Sequence, residues 1–275
     1  MDLMNGKVVL ITGSTDGIGK ATALELARWG ATVLLHGRNL QKAEAVLHDL
    51  RRVTGSDRLH LYLADFSSLD QVRRLASQVQ EEHDRLHLLI NNAGTFEPKR
   101  KITEDGLEMT FSVNYLAPFL LTCDMLDLLK ASEPSRIINV ASIAHWNGAM
   151  DWNNLQGEKS YQGFAAYVLS KLSLILFTYS LAERLQGTSV TANCLHPGVI
   201  KTKLLRAGFG DYPGDTPEKG ARTSVYLASS PEVEGISGQY FEECKAVCSS
   251  PVSYDQKLQE KLWQISKELS GLDRI

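Results

Sequence analysis

Lys7-Val8-Val9-Leu10-Ile11-Thr12-Gly13-Ser14-Thr15-Asp16-Gly17-Ile18-Gly19 is a short apolar run, rich in valine and isoleucine, that ends abruptly in a loop with three glycines. Lys20 to Trp29 follows, rich in Ala, Leu and Glu and closed by Gly30, and reads as a helix. Strand, glycine loop and helix in that order aim backbone N–H groups and a helix N-terminus at a pyrophosphate, and glycine lets the chain approach phosphate without a Cβ in the way. Gly13, Ser14, Thr15, Asp16, Gly17, Ile18 and Gly19 are therefore the first candidate cofactor contacts.

The alternation continues along the chain. Ala31 to His36 is a second strand and Leu40 to Val53 a second helix; Leu59 to Leu63 is a third strand, followed by a helix from Leu69 to Glu82. Strands are also expected at Leu86 to Ile90, Arg136 to Val140, Ser189 to Leu195 and Gly238 to Phe241, and a helix from Gly106 to about Lys130 across Pro118. Helices are read over 163–185 and 219–228, and an amphipathic one from Asp255 to Leu269 with Leu258, Leu262, Ile265 and Leu269 on one side. Such alternation predicts an α/β protein: one Rossmann-type domain over residues 1–275, with a doubly wound parallel sheet of about seven strands and helices on both faces.

Composition narrows the function. The 275 residues carry a formal net charge of -3 with Lys and Arg scattered, which offers no basic stripe for nucleic acid. No leader pattern opens the chain and no uninterrupted apolar stretch suggests a membrane span, so a soluble, cytoplasmic protein is expected. Cys123, Cys194, Cys244 and Cys248 lack the paired spacing of a zinc site and read as reduced thiols, so no metal is expected.

Polar residues at strand ends carry the chemistry, because open α/β sheets bind ligands at their carboxyl edge. The second strand ends in Gly37-Arg38-Asn39, where an acidic residue would hold the ribose diol of NAD; a guanidinium there can pair with a 2′-phosphate, which points to NADP(H) over NAD(H). Asp65-Phe66 follows the third strand, with Asp65 either capping the next helix or accepting from an adenine amino group. Asn91-Asn92-Ala93-Gly94 suits a loop passing under a cofactor. Asn114 lies in an apolar helix, a costly position unless its amide is bonded. Ser142 stands just past the fifth strand, and Pro197-Gly198-Val199 with Thr202 past the sixth. Tyr167 and Lys171 are four residues apart on an apolar helix, hence on one face, where an ammonium favours the phenolate and lowers the tyrosine pKa.

In this order and spacing, these motifs resemble the short-chain dehydrogenase/reductase superfamily over nearly the whole chain. The resemblance implies a cofactor loop at Thr12-Gly13 to Gly19, a catalytic tetrad of Asn114, Ser142, Tyr167 and Lys171, and nicotinamide contacts from Pro197-Gly198 and Thr202. It implies proton exchange between Tyr167 and a carbonyl or alcohol oxygen, with Lys171 lowering the phenol pKa and bonding the ribose, Ser142 donating to the oxyanion, and Asn114 joined to Lys171 through water. A homodimer packed through the tyrosine helix is also implied. Asp16 differs in charge from the base that some NADP-binding members carry in this loop.

Ser142 precedes Tyr167 by 25 residues, about twice the superfamily's usual separation. That insertion, about 143–163, is similar to the retinol dehydrogenase-like branch in Ala144-His145-Trp146 and in 155–161, as are Ser170-Lys171-Leu172, His196-Pro197-Gly198-Val199 and the tail segments Gln239-Tyr240-Phe241 and Lys261-Leu262-Trp263. Members often carry an N-terminal membrane anchor, whereas here the first strand begins within a few residues of Met1. Trp146, Leu204, Leu205, Phe209 and Tyr212, on the insertion and on a mobile apolar cover expected over 200–217, point to an apolar aldehyde, ketone or alcohol as substrate. Two other functions are weighed: a dinucleotide-sensing regulator or scaffold, and a sugar-nucleotide epimerase on a related fold.

Overall fold

The computed structural model describes residues 3–272. Its centre is an eight-stranded sheet in the order β3-β2-β1-β4-β5-β6-β7-β8. The strands are β1 (Val8–Ile11), β2 (Thr32–Gly37), β3 (Leu59–Leu63), β4 (Leu88–Asn91), β5 (Ser135–Val140), β6 (Val190–His196), β7 (Tyr240–Glu242) and β8 (Lys245–Val247). The first seven run parallel, and β8 alone turns back antiparallel on β7. This eighth strand is the one strand beyond those expected, since Lys245, Ala246 and Val247 are all exposed and show no apolar alternation.

Because central parallel strands are covered on both faces, they read as unbroken apolar runs. Val9, Leu10 and Ile11 of β1 and Leu88, Leu89 and Ile90 of β4 are buried, feeding two separate cores. One face is packed by α1 (Gly17–Arg28), α2 (Leu40–Thr54) and α8 (Pro217–Ser229). The other carries α3 (Leu69–Glu82), α5 (Ala117–Ala131), α6 (Gly163–Arg184) and α9 (Gln256–Ser270). Strand order reverses between β1 and β4, which opens a crevice at their carboxyl ends.

Three expectations change here. The helix read from Gly106 starts as a short stub, α4 (Met109–Phe111), passes through a π-turn at Ser112–Leu116 and then becomes α5, with Pro118 in the opening turn of α5 where proline is tolerated. The irregular cover over 200–217 contains a two-turn helix, α7 (Lys203–Phe209), which Thr202 caps by accepting from Leu205 N at 3.2 Å. Finally, α6 is long and apolar enough to cross a membrane, but most of it is buried inside the fold, as in a core helix.

Helix α6 is enclosed by its own chain. Every residue from Ser170 to Leu181 is buried, and Trp263 of α9 packs edge-on to Phe119 and tilted on Phe177, while Arg184 lies 4.1 Å from its ring. Tyr115 in the π-turn also bonds Ser266 of α9 at 2.6 Å. Helix α9 thus covers one side of α6 within its own chain.

Candidate active site

The crevice at the strand reversal is a cleft of about 1060 Å³. Its floor is the glycine loop. Gly13 has φ +64, and a Cβ there would lie 2.8 Å from Ala93 Cα, so only glycine lets the β1 and β4 loops close on each other. A Cβ on Gly19 would fall 2.4 Å from Asn92 Nδ2 and from Gly13 O. Thr12 Oγ1 accepts from Asn92 N at 2.9 Å and Ala93 N at 3.0 Å, and Asn92 Nδ2 donates to Thr12 O at 2.8 Å. Beneath them Asn91 Nδ2 donates to Thr122 Oγ1 and Asn139 Oδ1, tying β4 to β5. These bonds tie the glycine loop to the end of β4.

His36 completes the floor, although neither motif nor period had marked it. Its Nδ1 accepts from Gly13 N at 3.0 Å, so Nε2 carries the proton and donates to Ala64 O at 3.0 Å. The ring stacks on Phe66 at 4.4 Å, and burial holds its pKa at about 4, so the imidazole is neutral. Ser14 is buried and bonds the backbone of His36 instead of facing the cleft.

Around the mouth, the end of β2 is cationic. Arg38 borders the cleft, and so does Lys42 one turn further on, a second cation that the sequence reading passed over. Lys42 Nζ lies 2.6 Å from Asp16 Oδ2, and Lys203 Nζ of α7 lies 3.2 Å from the same oxygen. Burial opposes ionisation of Asp16, but hydrogen bonds from Lys42, Lys203 and Gly17 N outweigh it and hold its pKa at about 2. Asp16 also caps α1 through Gly17 N. Asn39 faces α2 instead of the cleft, capping it by accepting from Lys42 N at 2.9 Å. Asp65 borders the cleft but does not cap α3: its Oδ1 accepts from Ser67, and Leu69 N of α3 donates to Asp105 from a distant loop.

At the other end, Ser142, Tyr167 and Lys171 converge on the cleft wall. Ser142 Oγ accepts from Ala144 N at 3.2 Å. Tyr167 and Lys171 are both buried, and the ammonium sits 5.8 Å from the phenol ring while donating to Val140 O at 2.8 Å. The expected depression of the tyrosine pKa is absent. Burial raises Tyr167, with only Ser142 working against it, and burial lowers Lys171 to about 8, because each ionised form loses its water. The proximity of the two groups is therefore not yet a phenolate–ammonium pair.

Asn114 does not border the cleft. It is fully buried in the π-turn, where Oδ1 accepts from Thr95 N at 2.7 Å and Nδ2 donates to Thr95 O and Ser170 Oγ, both at 3.0 Å. It pins the loop after Gly94 to the tyrosine helix and makes no direct bond to Lys171. Apart from Ser14, Asn39 and Asn114, all the expected site residues border the cleft. An aromatic wall adjoins Tyr167: Phe96 lies 5.9 Å from it and 6.0 Å from Phe209, which packs edge-on to Phe164 at 5.8 Å. Trp146, Leu204, Leu205 and Tyr212 also line this end. The insertion is held in place where Tyr161 donates to Glu97 O and Glu108 Oε1.

A glycine cradle at the strand reversal, opening onto a hydroxyl, a phenol and an ammonium at the carboxyl edge, defines an oxidoreductase that works with a nicotinamide dinucleotide. The chain belongs to the short chain dehydrogenase family, whose model matches residues 7–211, and within it to the retinol dehydrogenase-like branch. It is 43% identical to human retinol dehydrogenase 14 over 98% of this chain and 88% of the relative. It is also 43% identical to mouse retinol dehydrogenase 13 over 97% and 84%. Among solved structures, an uncharacterised protein from Mycobacterium paratuberculosis superposes with a TM-score of 0.79 at 28% identity, covering 97% of this chain and 94% of that one. A short chain dehydrogenase from Escherichia coli CFT073 complexed with NADPH gives 0.73 at 26% identity, covering 87% and 97%. The protein is an oxidoreductase that acts on CH–OH groups.

Proposed function

We propose that this protein is an NADP(H)-dependent, retinol dehydrogenase-like enzyme that reduces an apolar aldehyde or ketone, or oxidises the matching alcohol. The observation that carries this reading is the continuity of one cleft from a cationic rim at Arg38 and Lys42 to an aromatic wall at Phe96, Phe164 and Phe209 beside Tyr167. The rim suits a 2′-phosphate, and the NADPH-bound Escherichia coli neighbour agrees with that choice. The wall suits a flat apolar molecule, in keeping with the names of the relatives.

The fixed glycine loop, α1 and the residues Asn92 to Gly94 hold the dinucleotide, and Pro197, Gly198, Val199 and Thr202 meet its nicotinamide end. When bound, the cofactor supplies or receives the hydride. Ser142 donates its hydroxyl hydrogen to the substrate oxygen, since its own acceptor side is engaged by Ala144 N. Tyr167 gives its phenolic proton to that oxygen during reduction and takes it back during oxidation. Lys171, whose ammonium lies 5.8 Å from the Tyr167 ring, would bond the ribose hydroxyls and favour the phenolate formed in reduction. Asn114 holds the Thr95 loop against α6, and its link to Lys171 through water completes the proton path.

Following NADPH absorbance with a panel of apolar aldehydes and ketones tests the whole reading. Turnover with NADH equal to that with NADPH removes the phosphate argument, and tight NADPH binding without turnover of any carbonyl favours a regulatory protein. The work is expected to occur in the cytoplasm, on small molecules and without nucleic acid.

A further inference from the structure

Ser142 is held from behind by a histidine that the reaction itself does not use. His145 is completely buried in the turn after β5, and its Nε2 lies 3.0 Å from Ser250 N. A backbone N–H can only donate, so Nε2 is the acceptor, and the ring proton must sit on Nδ1. Nδ1 lies 2.7 Å from Ser142 O, which can only accept. The two bonds are compatible with a single neutral tautomer, and burial, the leading influence on its pKa, favours that neutral form. Tyr240 of β7 packs against the ring at 4.9 Å and limits its rotation.

The segment that fixes this tautomer is also bonded to the helix that carries Tyr167. Ser249 Oγ is 2.6 Å from Tyr179 OH on α6 and 2.6 Å from Ser253 Oγ, and Tyr254 stacks on Tyr179 at 5.2 Å. The turn at 249–254 thus holds the serine turn through His145 and the tyrosine helix through Tyr179.

We propose that His145 is a positioning residue: together with the 249–254 segment it sets where the Ser142 hydroxyl stands relative to Tyr167. This inference rests on Ser142 donating to the substrate oxygen, as argued above. It predicts that the donor at Nδ1 matters more than the acceptor at Nε2. Asparagine has its amide at the level of Nδ1, so His145→Asn keeps a donor to Ser142 O; His145→Gln reaches only the level of Nε2 and loses it.

The test measures kcat for carbonyl reduction and, separately, NADPH affinity by fluorescence. His145→Gln is expected to lower kcat by roughly 10- to 100-fold, as for a catalytic group misplaced by up to an ångström, with NADPH affinity unchanged. His145→Asn restores most of that loss. In a Ser142→Ala background, the effect of His145→Gln should disappear. A loss of equal size in both backgrounds, or equal losses for Asn and Gln, reduces His145 to packing and overturns the inference alone. A Ser142→Ala variant with native kcat overturns the role of Ser142, and the inference with it. Should the histidine variants fail to fold, Ser250→Pro deletes the single N–H at issue. Ser250 already has φ -58, as proline requires, and its hydroxyl has no partner. That variant is expected to lose about 3- to 10-fold in kcat through a loosened serine turn, and native kcat overturns the proposal.

Discussion

Asp16 and Lys42 are joined by a 2.6 Å ion pair at the mouth of the dinucleotide end of the cleft, beside Arg38. The carboxylate holds the lysine on the rim proposed to take the 2′-phosphate. Removing Arg38 in Arg38→Ala is expected to raise the KM for NADPH by about 10- to 100-fold, the cost of one charge-assisted contact, and to change the NADH value little. Paired kcat/KM measurements with the two cofactors check this, and an unchanged preference counts against Arg38.

Replacing Tyr167 by phenylalanine keeps the ring that packs against Phe96 and removes the proton. The expected loss in kcat is about 10²- to 10⁴-fold, with NADPH affinity retained. A native rate with NADPH bound would assign proton transfer to another group.

Lys171 costs stability. Burial sets its pKa at about 8, below the usual 10.5, so the folded state binds that proton less tightly than the unfolded chain does. The penalty, about 3 kcal/mol, is complete below about pH 8 and fades as the pH rises toward 10.5. Lys171→Met should therefore be inactive yet more stable by roughly 1–2 kcal/mol at pH 7, after allowing for the Val140 carbonyl left without its donor. Urea unfolding at pH 7 and pH 10 checks both the sign and the narrowing of the gap; a variant less stable at pH 7 defeats the argument.

His36 makes the fold sensitive to acid. Its pKa falls from 6.5 to about 4 through burial, so its contribution is complete above pH 6.5 and is lost as the pH drops from there toward 4. His36→Ala leaves Gly13 N and Ala64 O unpaired and should cost about 1–3 kcal/mol at pH 7. The difference between wild type and variant should shrink by pH 5, and a constant difference would mean that the ring is not titrating as described.

The hairpin between β7 and β8 turns through Glu243 and Cys244, both left-handed, with φ 47 and φ 63. Left-handed backbone costs a side-chain-bearing residue about 1–2 kcal/mol, and Asn-Gly is the pair that such a turn prefers. The double change Glu243→Asn with Cys244→Gly should raise the thermal midpoint by a few degrees without altering turnover.

The apolar runs of β1, β2, β4, β5 and β6 and the bounds of α3 were legible because those strands are buried on both faces and each surface helix keeps one apolar stripe. The glycine loop, Ser142, Tyr167 and Lys171 were legible because residue type and order carry their chemistry. His36 and Lys42 were not, since one looks like any strand residue and the other like any helix cation until folding brings them to Gly13 and Asp16. The sign of the Tyr167 shift was also hidden: four-residue spacing shows that two groups are near, but not how much water each has lost. Helix α7 escaped because its seven residues include Gly208 and are bounded by Gly210, and its place depends on Phe96 packing against it from another loop.

The enclosure of α6 by α9 bears on how the chain is made. On the ribosome, α6 emerges first, and β6, α7, α8 and the terminal hairpin must all be synthesised before its cover exists. During that interval the nascent chain presents a long apolar helix resembling a membrane segment, the kind of exposed surface that chaperones bind. The helix that bears Tyr167 and Lys171 is thus enclosed only at the end of biosynthesis, and a variant that weakens the contact of Trp263 with Phe177 should prolong the exposure of α6 in the full-length chain and be lost through aggregation before folding is complete.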